Sequence, residues 1–248
     1  MRDLDNRAVR RVSRILASDS SRNGVLHLLD VGTGTGRYID AIAVRLASKF
    51  SRESVVLGVD LNAAMLRRGV QPGEASRLPV RRLVARAEAL PFREASFDAL
   101  FCFNAIHHFD LAGFVRQASL ILRPNGRLFI YTRTEEQNRE TIWGRYFPGF
   151  LERETRLRTI GEIALTLRAD GAFPNVRLQN IPWTLTTSLA RLVDQVHARH
   201  YSTFSLFPPD ELLVAADVFH RRVQQTFSDP MRLEISNPHL LVEAQRAT

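Results

Sequence analysis

The sequence predicts an α/β fold: a doubly wound, mostly parallel seven-stranded sheet with helical cap insertions. Three observations predict it. Short apolar runs alternate with segments of helical period from residue 25 to residue 133, the pattern of a parallel sheet covered on both faces. The first of those runs passes straight into alternating glycines and then into a helical segment, the arrangement found where an open parallel sheet meets a ligand. Two further strand-like runs, at 175–185 and 239–247, bring the count to seven.

The elements follow in order. Leu4, Val9, Val12, Ile15 and Leu16 fall at helical spacing between arginines, so residues 1–18 form an amphipathic helix. "SDSSRNG" (18–24) is a turn. "VLHLLDV" (25–31) is a buried strand, and "YIDAIAVRLASKF" (38–50) a helix. "SVVLGVD" (54–60) is the second strand. "NAAMLRRG" (62–69) is a short helix, with Asn62 as N-cap and Gly69 as stop. "QPGEASRLPV" (71–80) is a loop before the third strand, "RRLVARA" (81–87). "LPFREAS" (90–96) turns into the fourth strand, "FDALFCF" (97–103). A helix over 111–122 stops at Pro124 and Gly126, and "RLFIYTR" (127–133) is the fifth strand. In the second half, a helix spans 157–172. Pro182 makes 175–185 an edge strand. Residues 188–227 read as two helices broken at Pro208 and Pro209, and 239–247 closes the sheet. The organisation is then an N-terminal helix or lid (1–24) and a main domain (25–248). The main domain comprises a core (25–133), a following segment (134–185), a helical cap insertion (186–229) and a closing strand (230–248).

Composition narrows the function classes. The apolar runs are too short to span a bilayer, and the charged N-terminus has no signal-peptide apolar stretch, so the expectation is a cytoplasmic protein with no membrane partner. Cys102 is the only cysteine, which excludes an intrachain disulfide and a cysteine zinc cluster; inside an apolar run it reads as a small core residue. The formal net charge of +8 permits a nucleic-acid partner. Lys49 is the only lysine, however, and the arginines are scattered apart from a denser stretch from Arg67 to Arg93. His197 and His200 stand three apart without an evident third ligand, so no metal site is expected.

The loop "LLDVGTGTGRY" (28–38) carries the strongest signal. Glycines let a backbone turn tightly and approach a ligand without Cβ clashes. A dinucleotide fingerprint requires its third glycine at position 37, which is Arg. The spacing is instead G-x-G-x-G, with an acid two residues before the first glycine, and it resembles motif I of the class I S-adenosylmethionine-dependent methyltransferases. "VVLGVDLNAAML" (55–66), "RAEALPFREASFDALFCFNAIHHF" (86–109) and "ILRPNGRLFI" (121–130) resemble the corresponding segments of the type 11 subgroup, which includes ubiquinone- and menaquinone-biosynthesis-like C-methyltransferases. The resemblance covers roughly residues 25–133 and implies a Rossmann-like fold with S-adenosyl-L-methionine as cofactor. Asp30 would orient the loop and the cofactor's ammonium, with Gly32, Gly34 and Gly36 under its methionyl part. Asp60 would hold the ribose, as acids do at that place in nucleotide-binding α/β folds. Ala87 and Glu88 would lie beside the adenine. Thr33, Tyr38, Leu61, Met65 and Asn104 fall in the same site by this resemblance. The subgroup has Asp immediately before "AEALPF", where this chain has Arg86. An arginine cannot accept a hydrogen bond; either a backbone carbonyl replaces the acid or Arg86 turns to solvent.

"FNAIHHF" (103–109) then leaves the carboxyl end of the fourth strand, where ligands of parallel sheets bind. Two readings stand for His107 and His108: a general base for the acceptor's proton, His107 ahead of His108, or a pair that shapes the loop. Methyl transfer from a sulfonium needs alignment more than acid–base help, which keeps the second reading open. Trp143, Tyr146, Phe147 and Phe150 alternate with charges; they cover a pocket or belong to a helix packed on the sheet. Tyr201 and Phe204 fall in the expected acceptor lid. The expected partner is a small, partly hydrophobic or aromatic acceptor methylated at O, N or C. The rivals are a tRNA or RNA methyltransferase, and a non-catalytic domain that binds the cofactor.

Overall fold

The structure is a computed structural model, in which residues 4–19, 24–69 and 81–248 are described. Residues 1–3 of the expected first helix, part of the turn at 18–24 and the whole loop at 71–80 lie outside them. The described strands are β1 (Leu26–Val31), β2 (Ser54–Asp60), β3 (Arg81–Val84), β4 (Phe97–Phe103), β5 (Leu122–Thr132), β6 (Asn175–Ile181), β7 (Thr184–Thr187), β8 (Leu233–Ser236) and β9 (His239–Gln245). The chain divides into two compact units. One holds Leu4–Thr132, Gly161–Gln179 and Leu240–Thr248; the other holds Arg133–Ile160 and Asn180–His239. No helix among the described residues is long and apolar enough to cross a membrane.

The first unit is built on a seven-stranded sheet of order β3-β2-β1-β4-β5-β9-β6. The β1–β2, β1–β4, β2–β3 and β4–β5 ladders are parallel, and β5–β9 is antiparallel. This is the doubly wound, mostly parallel sheet expected from the alternating pattern, and it has the Rossmann-like form that the resemblance implies. β4 is buried at every position, as a strand covered on both faces must be. Its one acid, Asp98, accepts hydrogen bonds from His27 N (2.8 Å) and Arg123 Nη1 (2.7 Å), so the buried charge is paired. Stacking of Phe101 on Phe103 and Phe129, at 5.7–5.9 Å between centroids, carries the core across β4 and β5.

Helix α1 (Asn6–Ala17) buries Val9, Val12 and Leu16 and is capped by Asp5, which accepts from Arg7 N at 2.8 Å. α2 (Arg37–Phe50) follows the glycine loop, and α3 (Ala63–Arg67) is capped by Asn62 as its sequence indicates. α4 (Leu111–Ile121) runs directly into β5. Here the structure corrects the expectation that Pro124 and Gly126 separate helix from strand. β5 begins at Leu122, pairs there with Phe97, and slips register before Arg127 pairs with Ala99. Pro124, which has no N–H to give to a ladder, sits in that irregular stretch, where proline is tolerated. β3 is shorter than expected: it ends at Val84, and Arg86 O then accepts from Ala89 N in a tight turn.

The second unit has its own core. α5 (Glu135–Glu140), α6 (Ile142–Tyr146) and α7 (Phe150–Arg153) come from the segment where charges and aromatics alternate, whereas α8 (Ile160–Ala169) lies almost wholly in the first unit. α9 (Leu189–His197) and α10 (Pro209–Thr226) are the two expected helices, joined through a 3-10 turn over Ser202–Leu206. Trp143, Phe147, Phe150, Phe204 and Phe219 pack on one another in its interior. Trp143, 3% exposed, therefore belongs to the second unit's core. Phe147, Phe150 and Phe204 are likewise interior residues. The expected single strand over 175–185 is two strands, because Pro182 ends the β6 ladder and the chain restarts as β7, which pairs antiparallel with β8.

Candidate functional site

β1 carries Asp30 to the carboxyl end of the sheet, between Gly58 of β2 and Phe101 of β4. Asp30 is 2% exposed. Its Oδ2 accepts from Thr33 Oγ1 at 2.7 Å, while Oδ1 has no hydrogen-bond partner among the described residues. Burial lifts its carboxyl to about 7; the neighbouring Asp60 and Asp40 charges push the same way, and the Thr33 bond opposes them. A buried carboxylate with one uncommitted oxygen is a natural acceptor for a ligand's ammonium group.

The loop after β1 is held from several sides. Gly32 N and Thr33 N both donate to Val59 O, at 2.8 and 2.9 Å. Glycines 32, 34 and 36 all have positive φ. Gly32 is needed for a second reason, since a Cβ there would stand 2.4 Å from Ala105 Cβ and 2.9 Å from the Phe109 ring. Gly34 N donates to Asp60 Oδ2 at 2.8 Å, and Asn62 N donates to Asp60 Oδ1 at 2.8 Å. Each carboxylate oxygen keeps a second lone pair, so Asp60 can brace the loop and still accept two hydroxyls. A Cβ on Gly34 would meet only Met65 Cε, at 3.5 Å. Leu61 is 65% and Met65 36% exposed, so apolar surface lies uncovered beside the acid. These features fit an adenosyl cofactor with a cationic amino-acid end.

Ala87 is buried, and half-buried Glu88 accepts from Asp110 N at 2.9 Å. The Arg86 side chain is 66% exposed and pairs with Glu88 at 3.4 Å, so it turns outward. Its carbonyl is engaged by Ala89 N. Glu88 is thus tied to Arg86 and Asp110.

Asn104 takes positive φ (54°) as the chain leaves β4, and its N donates to Tyr131 O at 2.7 Å. Tyr38, in the first turn of α2, stacks on Phe103 at 4.4 Å and 2°. Its hydroxyl accepts from Asp5 N at 3.3 Å and is hydrogen-bonded to the Asn104 side chain. Burial foremost raises the Tyr38 pKa. Tyr131 donates to Asp5 Oδ2 at 2.6 Å in a buried contact. His107 and His108 form a 3-10 turn with Ile106, their rings 4.1 Å apart and tilted by 47°. His107 is half-buried and His108 exposed. Cys102 is wholly buried, and burial raises its thiol pKa well above the ordinary value.

Two residues escape sequence reasoning. Asp5 leaves one signal, an acid directly before an amphipathic helix, which marks a cap but not the contacts to Tyr38 and Tyr131. Arg82 leaves none: its Nη2 donates to Thr35 O at 3.4 Å, 47 residues away.

Residues 29–130 match the family model described as a methyltransferase domain, the Methyltransf_11 family. Those residues are similar to type 11 methyltransferase domains. Over 106 residues the chain is 37% identical to the ubiquinone/menaquinone biosynthesis C-methyltransferase UbiE of Brucella anthropi, covering 40% of this chain and 37% of that protein. Over 104 residues it is 32% identical to the 27-O-demethylrifamycin SV methyltransferase of Amycolatopsis mediterranei, covering 41% of this chain and 36% of that protein. In each case the chain spans little more than a third of the relative's length. A crystal structure from Anabaena variabilis, named as a putative methyltransferase from an antibiotic biosynthesis pathway, is similar in fold. Its TM-score is 0.68 at 20% identity, covering 95% of this chain and 96% of that one. The matched segment holds Asp30, the glycine loop, Asp60 and the His107–His108 turn, while Asp5 and Tyr131 lie outside it.

Proposed function

We propose that the protein is an S-adenosyl-L-methionine-dependent methyltransferase acting on a small, partly hydrophobic or aromatic metabolite at an O, N or C atom. The observation that carries this is Asp30: a buried acid with one uncommitted oxygen, at the start of a glycine loop that Asp60 braces from the next strand. When bound, the cofactor supplies a methyl group on a positively charged sulfur. Asp30 would accept from its ammonium, Asp60 from its ribose hydroxyls, and Leu61, Met65 and Ala87 would flank its base. The outward turn of Arg86 leaves the family's missing acid without a side-chain substitute; apolar contact and backbone groups serve there instead.

His107, at the carboxyl end of β4, is the residue assigned to the acceptor's proton, ahead of the more exposed His108. A neutral imidazole takes up a proton near pH 7, and alignment of the nucleophile supplies most of the remaining rate. The test is transfer of labelled methyl from S-adenosylmethionine across a panel of phenols, quinone precursors, amines and bulk tRNA. Turnover of a small molecule supports the proposal, whereas transfer to tRNA alone would move the acceptor to RNA.

A further inference from the structure

We infer that Arg82 is a positioning residue for cofactor binding, one that holds the Thr35–Gly36 end of the glycine loop; this rests on the reading of that loop as the cofactor site. Arg82 lies on β3, in register with Gly58 of β2. Its side chain is 21% exposed, and Nη2 reaches Thr35 O at 3.4 Å and Asp40 Oδ2 at 3.9 Å. Two glycines leave the slot it occupies. A Cβ at Gly36 would lie 3.0 Å from Nη2, and a Cβ at Gly69 would lie 2.6 Å from Cζ and 2.8 Å from Nη2. Gly69 does not have the positive φ that would itself call for glycine. The sequence suggests a helix stop at Gly69; the structure adds that any side chain there would displace the guanidinium.

The charge has a partner suited to it. Asp40, in the first turn of α2, is buried, and neither of its oxygens has a hydrogen-bond partner among the described residues. Arg82 is the cation facing it across the loop. An arginine beside the positive end of a helix is unfavourable unless an acid offsets it, and Asp40 is that acid. The loop is therefore fixed by backbone bonds at Gly32 and Thr33, by Asp60 at Gly34, and by Arg82 at Thr35–Gly36. Without the last brace it spends less time in the binding shape, and apparent affinity falls by that fraction.

The test is a double-mutant cycle on the full chain, read by calorimetry with S-adenosylhomocysteine and by amide hydrogen exchange of the free protein. Arg82→Ala should weaken binding about tenfold and speed exchange at Gly34 and Gly36, with turnover at saturating cofactor little changed. Gly69→Ala alone should weaken binding similarly, and should add nothing once Arg82 is already Ala. Near-additive losses, or wild-type exchange at Gly34 and Gly36 in Arg82→Ala, would overturn the assignment. Failure of the wild-type protein to bind S-adenosylhomocysteine would instead overturn the cofactor reading, leaving the exchange data to decide whether Arg82 braces the loop.

Discussion

Asp60 Oδ2 accepts the backbone N–H of Gly34 at 2.8 Å, joining the acid at the end of β2 to the middle of the glycine loop after β1. The two are 26 residues apart. The bond gives Asp60 a structural duty besides the one its position on the sheet implies. Because Asn62 N occupies the other oxygen, Asp60→Asn cannot satisfy both contacts, as one terminal atom becomes a donor. The variant should lose roughly tenfold or more in S-adenosylhomocysteine affinity and show faster amide exchange at Gly34. Unchanged exchange there would mean that the bond does not hold the loop.

Asp30 gives a pH prediction. Its folded pKa of about 7 lies above the ordinary 3.8, chiefly through burial. A carboxyl raised in this way keeps its proton in the folded protein while the unfolded chain ionises. Its contribution to stability is therefore fully present below about pH 4 and is lost as pH rises through 7. The melting temperature of the wild-type protein should fall over that window by several degrees more than that of Asp30→Asn. Parallel Tm–pH curves would contradict the assignment. A bound ammonium favours the ionised form, so cofactor affinity should rise between pH 6 and pH 8.

The buried Tyr131–Asp5 hydrogen bond, at 2.6 Å, ties the start of α1 to the end of β5. Asp5 also caps the helix. Asp5→Ala should cost about 1 kcal/mol for the cap and a further ~1.5–3 kcal/mol for the bond to a charged group. Combined with Tyr131→Phe, chemical denaturation should show a coupling of about 1–2 kcal/mol. Additive losses would mean that the two side chains act separately.

His107→Ala should lower turnover by roughly a hundredfold near neutral pH if His107 takes the acceptor's proton, with cofactor affinity unchanged. Turnover close to wild type would assign the histidine pair to shaping the loop.

Trp143 stacks on Phe219 at 5.0 Å in the second unit's core. Trp143→Ala should destabilise that unit by about 3–5 kcal/mol, seen as an earlier transition on denaturation. A change confined to acceptor KM would return it to a pocket wall.

The first half of the chain is legible because its signals are local. Strand periodicity, the Asn62 cap and the glycine spacing each act within a few residues. Trp143 and its neighbours were harder to place, because an aromatic looks the same in sequence whether it covers a pocket or fills a core. Pro182 marked an edge strand, but β7 pairs with β8 across some fifty residues, and nothing near Leu233 announces its partner. Within the site, Asp30 and Asp60 could be found from their places before and after glycines. Arg82 could not, since its contacts at Thr35, Asp40 and Gly69 come from three separate elements.

The loop from Asp30 to Gly36, braced by Asp60, is proposed to bind the methyl donor. Calorimetric titration of the purified protein with S-adenosylhomocysteine, beside Asp60→Ala, tests it most directly. Micromolar binding by the wild-type protein, and none measurable by the variant, is the expected result. Absence of binding by the wild-type protein, with no recovery when acceptor candidates are added, would contradict it.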